Sequence, residues 1–279
     1  MLGRLMKYEL RMQLKTFIII NIAIILAAAA SFGVDMFANI VMPQGVDAHS
    51  PNTIEIIGFF GSVFTMILLS FATSVVMVLV LLMGYIRYYR TMYTSTGYMT
   101  LMLPVSPWKI VVAKGLSLFI YFVVTAIVAF ASLGAQMFFI VDAFSPDGLV
   151  TIFNNFISNI PFAIIELFGY MDISFPIIIA ELVVLSLVTT LSSICVVFMS
   201  ITIGSVIAKK NKGLVVIFVY FGINMIMSII TQSVFTIFSL LSLANYYVFF
   251  AMLIIFYLGL GTAAFFINNH LLNKKLNLE

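Results

Sequence analysis

Charged side chains are scarce in this chain of 279 residues, and so are the residues that most often build metal and catalytic sites. Only 8% of the residues are charged, and the sequence holds two histidines and one cysteine. A single cysteine excludes an intramolecular disulfide, and we expect Cys195, which lies in an apolar run, to be a small packing residue. The sequence contains no phosphate-binding loop and no zinc-protease motif. We therefore expect no catalytic residue, no metal site and no cofactor held by this chain itself.

Long apolar runs dominate what remains. Hydrophobic residues make up 63% of the chain, and its mean hydropathy of +1.22 lies far outside the range of soluble domains. About 20 consecutive apolar residues cross the hydrocarbon core as a helix, since every backbone group must be hydrogen-bonded internally there. The sequence thus predicts an all-α integral membrane protein, 1–279 forming a single transmembrane domain. The six predicted spans cover residues 17–38, 56–86, 108–141, 174–207, 214–232 and 246–267.

The placement of charge predicts how these spans are oriented. Lysine and arginine in short loops mark the cytoplasmic side of a membrane protein, and all thirteen basic residues lie near the two termini, beside the second loop or in the fourth loop. The first and third loops carry only acids. Both termini are therefore predicted in the cytoplasm, in a multi-pass arrangement. Because the basic residues are scattered over four short segments, we interpret them as anchors at the lipid surface and not as a nucleic-acid site.

Three further segments have a pattern of their own. Residues 1–16 place their basic side chains on one stripe, which predicts an interfacial helix leading into the first span. In the third loop, apolar residues recur at helical spacing over 149–160, which predicts an amphipathic helix on the outer surface. The fifth loop, residues 232–247, is uncharged and apolar, and it predicts a short re-entrant helix.

Three ionisable or polar residues within the spans are candidates for a transport path. Glu181 is the clearest, Asp35 is a weaker case, and Asn224 adds a polar group in the fifth span. Intramembrane carboxylates often mark proton pathways. Both acids also lie near the predicted outer interface, where a carboxylate reaches water. A proton relay and a simple interfacial position both remain open from the residues alone.

The second loop contains an unusual segment, residues 96–109, with the sequence TGYMTLMLPVSPWK. It follows the basic and aromatic cluster RYYR, and Ser106 and Pro107 are suited to begin the third span as its cap and first helical residue. Tyr98, Leu101 and Met102 share one helical face before Pro104, which must end that helix. This face either lies on lipid and the ends of its own spans or fits a groove on a soluble partner.

The same segment resembles the cytoplasmic loop of bacterial ABC-2 type transporter permeases. The resemblance rests on the aromatic-basic cluster, the Gly-Tyr pair and the run T-L-M-L-P-V-S-P-W-K, and at the level of architecture it extends over the whole chain. In that family this loop carries the coupling helix, which docks on a separate ATP-binding subunit. The acid that usually precedes the Gly-Tyr pair is replaced by Thr96. The resemblance assigns the partner-binding role to Gly97, Tyr98, Leu101, Pro104, Val105 and Pro107. Met102, on the same helical face as Tyr98 and Leu101, and Met99 at its flank complete the predicted partner-binding set.

The resemblance implies an assembly of two permease chains, identical or different, with two ATPase subunits that carry ATP and Mg²⁺, in a bacterial plasma membrane. It further implies export of amphipathic peptides such as phenol-soluble-modulin-type toxins or bacteriocins. We call residues 96–109 the coupling segment. Two other functions stay open: a non-transporting immunity or scaffold protein, and a proton-driven carrier that uses Glu181.

Overall fold

The computed structural model of the protein describes residues 2–41, 53–94, 97, 106–144, 175–208, 212–241 and 246–274. The described residues form long α-helices and contain no strand. The helices are α1 (Leu2–Val41), α2 (Thr53–Tyr93), α3 (Pro107–Phe144), α4 (Phe175–Ile207), α5 (Lys212–Leu241) and α6 (Tyr246–Lys274).

These six helices are long and apolar enough to cross a membrane, which confirms the predicted all-α membrane class. The shortest has 29 residues, which at about 1.5 Å per residue exceeds the roughly 30 Å hydrocarbon core. The protein is therefore a multi-pass membrane protein by the length and composition of its helices.

Two predicted segments prove to be continuous with their neighbouring spans. Residues 2–16 and the first span form the single helix α1, because no proline or glycine interrupts the chain between Gly3 and Gly33. The described part of the predicted re-entrant segment, residues 232–241, likewise continues α5 without a break. The amphipathic helix predicted at residues 149–160 lies outside the described residues.

The chain divides into two compact units, each built from parts of several helices. The first comprises Met1–Leu10, Leu82–Ile120 and Phe168–Glu279, and the second comprises Arg11–Leu81 and Tyr121–Leu167. The single transmembrane domain stays a prediction.

In the first unit, α4 packs against α5 and α6. Small residues allow close approach of the helices, as is usual in membranes. A Cβ atom at Gly204 on α4 would lie 2.7 Å from the Cα atom of Val216 on α5. Cys195 packs against a small apolar cluster on these helices, in agreement with its predicted packing role.

In the second unit, α1 and α3 approach each other through an aromatic and a polar pair. The rings of Phe17 and Tyr121 have centroids 4.4 Å apart, and the amide of Asn21 lies 3.5 Å from the hydroxyl of Thr125. Because side chains buried between helices must satisfy their polar atoms internally, such pairs fix the register of α1 against α3.

Candidate functional site

The last two turns of α2, which lead into the coupling segment, carry a buried polar network within the first unit. The hydroxyl of Tyr93 lies 2.6 Å from Oγ1 of Thr202 on α4, and Thr202 donates to Oδ1 of Asn268 on α6 at 2.5 Å. Asn268 in turn donates from Nδ2 to the Tyr88 hydroxyl at 3.3 Å. We call Tyr88, Tyr93, Thr202 and Asn268 the tyrosine network, and it joins α2 to both α4 and α6.

The burial of the tyrosine network raises the free-energy cost of breaking one of its contacts. All four of its side chains are buried, and Tyr88 also stacks on Phe198 with ring centroids 3.9 Å apart and planes 7° from parallel. A buried polar atom that loses its partner costs about 1–3 kcal/mol, more than a hydrogen bond contributes in net terms. The end of α2 is therefore held to α4 and α6 by contacts that resist separation.

A second group of contacts joins the start of the chain to the helices on both sides of the coupling segment. Glu9 on α1 accepts a hydrogen bond from Nζ of Lys114 on α3 at 2.6 Å, and its other carboxylate oxygen lies 3.2 Å from Arg87 on α2. The Lys114 side chain is only 5% exposed and that of Glu9 only 9%, whereas that of Arg87 is 21% exposed. We call Glu9, Arg87 and Lys114 the ionic cluster.

The burial of the ionic cluster determines what it contributes to stability. A buried ion pair contributes little net stability, but removing one partner leaves a buried charge without compensation. On the sequence alone, Arg87 and Lys114 are predicted only as anchors at the lipid surface, and Glu9 is assigned no role. One signal was available, because Glu9 is the sole acid among the first 34 residues.

The chain enters and leaves the coupling segment through defined local structure. The amide of Gly97 donates to the carbonyl of Thr94 at 2.8 Å, and a Cβ atom at residue 97 would collide with the carbonyl oxygen of Met92. At the other end α3 begins at Pro107, and the amide of Lys109 donates to the carbonyl of Ser106 at 3.0 Å. The helix thus begins at Pro107, the first helical residue predicted from the sequence. Glycine is required at residue 97 by the close approach of backbone atoms.

The structure describes only part of the predicted partner-binding set. Gly97 is buried and Pro107 is half-buried, both in the first unit. The remaining predicted residues, Tyr98, Met99, Leu101, Met102, Pro104 and Val105, lie outside the described residues. Their assignment to a docking face stays a prediction.

The predicted transport-pathway residues occupy different helices of the first unit. Glu181 is half-buried near the beginning of α4. Asn224 is half-buried on α5, where its amide donates to the carbonyl of Tyr220 in its own helix at 2.9 Å. Such a bond satisfies an amide within a span without a partner helix. Within the part of the chain that the structure describes, no three His, Cys, Asp or Glu side chains converge as metal ligands.

The site therefore consists of two buried polar clusters that flank the coupling segment in the chain and tie its ends to the N-terminal segment, α4 and α6. The chain matches no protein family model, no curated protein and no solved structure.

Proposed function

We propose that this chain is the transmembrane permease subunit of an ATP-driven ABC exporter. One observation supports the proposal most strongly: buried polar contacts join the end of α2 and the first turns of α3, which flank the coupling segment, to other helices of the same unit. The tyrosine network holds the α2 end, and the ionic cluster holds α2 and α3 to the start of α1.

The proposed mechanism follows from these contacts. A partner that pushes on the coupling segment displaces the end of α2 and the start of α3. Closely packed interiors do not deform continuously. The neighbouring helices therefore move together with these two helix ends. The contacts of Thr202 and Asn268 transmit the movement to α4 and α6, and those of Glu9 transmit it to α1. ATP binding to a separate subunit would thereby move the membrane helices.

The partner and the cargo follow from the resemblance and are proposals of the same kind. Two ATPase subunits bind ATP and Mg²⁺, and two permease chains, identical or different, lie together in a bacterial plasma membrane with both termini in the cytoplasm. Amphipathic peptides are the proposed cargo. Exposed aromatic and thioether side chains on α5, among them Phe218, Phe221 and Met225, offer the adaptable apolar surface that such peptides require.

The test is a paired substitution on the predicted docking face. Tyr98→Asp combined with Leu101→Asp places two carboxylates where an interface core is predicted, and should abolish both co-purification of the ATPase and peptide efflux from cells. Thr100→Asp, about 200° around the same predicted helix from Tyr98, is the matched control and should retain both. Retained co-purification and efflux in the double variant would refute the proposal. Peptide resistance that persists in cells without the ATPase would instead indicate a passive immunity protein.

A further inference from the structure

The second unit contains two buried amide side chains, each with an oxygen that lacks a hydrogen-bond donor. Asn21 on α1 is 8% exposed, and Gln136 on α3 is fully buried. Neither Oδ1 of Asn21 nor Oε1 of Gln136 accepts a hydrogen bond from the part of the chain that the structure describes. The large majority of buried polar side-chain atoms in native structures have a partner, so both oxygens require an explanation.

The orientation of the Asn21 amide is fixed by its nitrogen. Nδ2 of Asn21 donates to the carbonyl of Phe17, one turn earlier in α1, at 3.0 Å and lies 3.5 Å from Oγ1 of Thr125 on α3. A carbonyl oxygen only accepts hydrogen bonds, so turning the amide over would bring two acceptors together. Exchanging the oxygen and nitrogen of this amide therefore does not supply the missing donor.

The Gln136 amide is fixed in the same way. Its Nε2 lies 3.3 Å from Oδ2 of Asp35 on α1 and 3.2 Å from Oγ1 of Thr65 on α2. Turning this amide over would place its oxygen against the carboxylate of Asp35, which only accepts. The single hydroxyl hydrogen of Thr65 already has two acceptors, Oδ1 of Asp35 at 3.0 Å and the carbonyl of Ser62 at 2.8 Å. These neighbours therefore offer no hydrogen to Oε1.

Other hydroxyl groups between α1 and α3 use their hydrogens within their own helices. Ser31 on α1 and Ser132 on α3 each donate to a carbonyl three residues earlier at 2.8 Å. Thr125 donates to the carbonyl of Tyr121 at 2.9 Å. Each hydroxyl oxygen keeps lone pairs that can accept, so the interface has acceptors in excess. We call Asn21, Ser31, Thr125, Ser132 and Gln136 the polar seam.

A water molecule fits the geometry at both amides. The oxygen and nitrogen of an amide are about 2.2 Å apart, so Oδ1 of Asn21 lies within about 6 Å of Oγ1 of Thr125. By the same reasoning, Oε1 of Gln136 lies within about 6 Å of Oδ2 of Asp35. One water with two hydrogen bonds of about 3 Å bridges acceptors up to that separation. Each position thus offers a water at least two polar partners, the number that a buried water needs.

We propose that the polar seam binds water inside the membrane, with one molecule at Oδ1 of Asn21 and one at Oε1 of Gln136. Each water donates one hydrogen to the amide oxygen and the other to the neighbouring acceptor, Thr125 or Asp35. Water suits the seam because it is small and supplies two hydrogens where the protein presents only acceptors. Ordered water satisfies polar groups at membrane depth only where protein buries it. These sites lie in the second unit, whereas Glu181 and Asn224 lie in the first.

X-ray radiolysis of the full chain in lipid nanodiscs, read by mass spectrometry, tests the proposal. Radiolysis converts bound water to hydroxyl radicals, which modify the side chains beside it. Tyr121 is only 5% exposed, and its ring lies 4.4 Å from that of Phe17 beside Asn21. Phe130 is 73% exposed within the same span, where lipid covers it. Bound water should therefore make the buried Tyr121 more heavily modified than the exposed Phe130.

Variants and a crystal structure locate the water. Asn21→Leu removes the acceptor and should lower the modification of Tyr121 several-fold. Ser70→Ala, on the exposed side of α2, is the control and should leave it unchanged. A high-resolution crystal structure of the full chain, grown from a lipidic cubic phase, should show water within hydrogen-bonding distance of Oδ1 of Asn21 and of Oε1 of Gln136.

Three results would overturn the proposal. Modification of Tyr121 at or below that of Phe130 would mean that the seam is dry. Modification of Tyr121 that Asn21→Leu leaves unchanged would mean that the radicals arise elsewhere. A crystal structure in which either amide oxygen has no water, or contacts a lipid instead, would equally refute the assignment. If Asn21→Leu fails to fold, the comparison of Tyr121 with Phe130 in the wild-type chain and the crystal structure decide the question.

Discussion

The ionic cluster offers the sharpest prediction about stability. Replacing Glu9 by Gln removes the anion that contacts Arg87 and Lys114 among the described residues, and leaves two cations together. Glu9 and Lys114 are 2.6 Å apart, which corresponds to about 6 kcal/mol of attraction at an effective dielectric constant of about 20. Desolvation of both ions offsets much of this in the native protein. Because Lys114 stays buried in the variant, we expect a loss of about 3–5 kcal/mol in the free energy of unfolding.

The assay is equilibrium unfolding of the purified protein in mixed micelles with increasing detergent denaturant. Trp108 is the single tryptophan of the chain and lies at the start of α3, six residues before Lys114, so its fluorescence reports on this region. Arg87→Gln is the control, and should cost only about 1 kcal/mol because Arg87 reaches water.

A double variant decides whether the cost arises from the unpaired charge. Glu9→Gln combined with Lys114→Met removes the charges of both partners of the close pair, and should be more stable than Glu9→Gln alone by about 2 kcal/mol or more. If the effects of the two single substitutions instead add to within about 0.5 kcal/mol, the two side chains do not interact and the reasoning is wrong.

Other predictions concern the tyrosine network, helix packing and topology. Tyr93→Phe removes the hydroxyl that contacts Thr202 and should cost about 1–3 kcal/mol, whereas Tyr89→Phe should change the same unfolding curve little. Gly204→Ala forces a methyl group against the backbone of α5 and should cost about 1–3 kcal/mol. Gly259→Ala, with open space around the added atom, should be neutral or slightly stabilising. In cells whose protein lacks the native cysteine, an impermeant maleimide should label a cysteine placed between α1 and α2, and not one placed between α4 and α5.

Much of the fold could be predicted from the sequence because membrane spans obey a simple length rule. The apolar runs place each helix, and the caps Ser106 and Pro107 place the start of α3. The helices continue beyond the predicted spans, since α2 extends to Tyr93 and α5 to Leu241. A hydropathy pattern assigns the aromatic and polar residues at these helix ends to loops. They nevertheless continue the helix, because no proline or glycine interrupts it there.

The polar clusters could not be predicted from the sequence in the same way. Thr202 and Asn268 are ordinary polar residues of their spans, and only tertiary contact shows that they meet Tyr88 and Tyr93. The contacts among Asp35, Thr65 and Gln136 likewise depend on three helices that are distant in the chain. A single sequence shows the periodicity of each helix. It does not show how one helix is rotated about its axis relative to its neighbours.

Photo-cross-linking in living cells tests the central claim most directly. A benzophenone amino acid at position 98, on the predicted docking face, should cross-link to an ABC ATPase that mass spectrometry identifies from the native membrane. The same probe at position 47, in the predicted outer loop, should give no ATPase product. Cross-linking of position 98 to lipid or to this chain alone, with no ATPase product at any position of the coupling segment, would contradict the account.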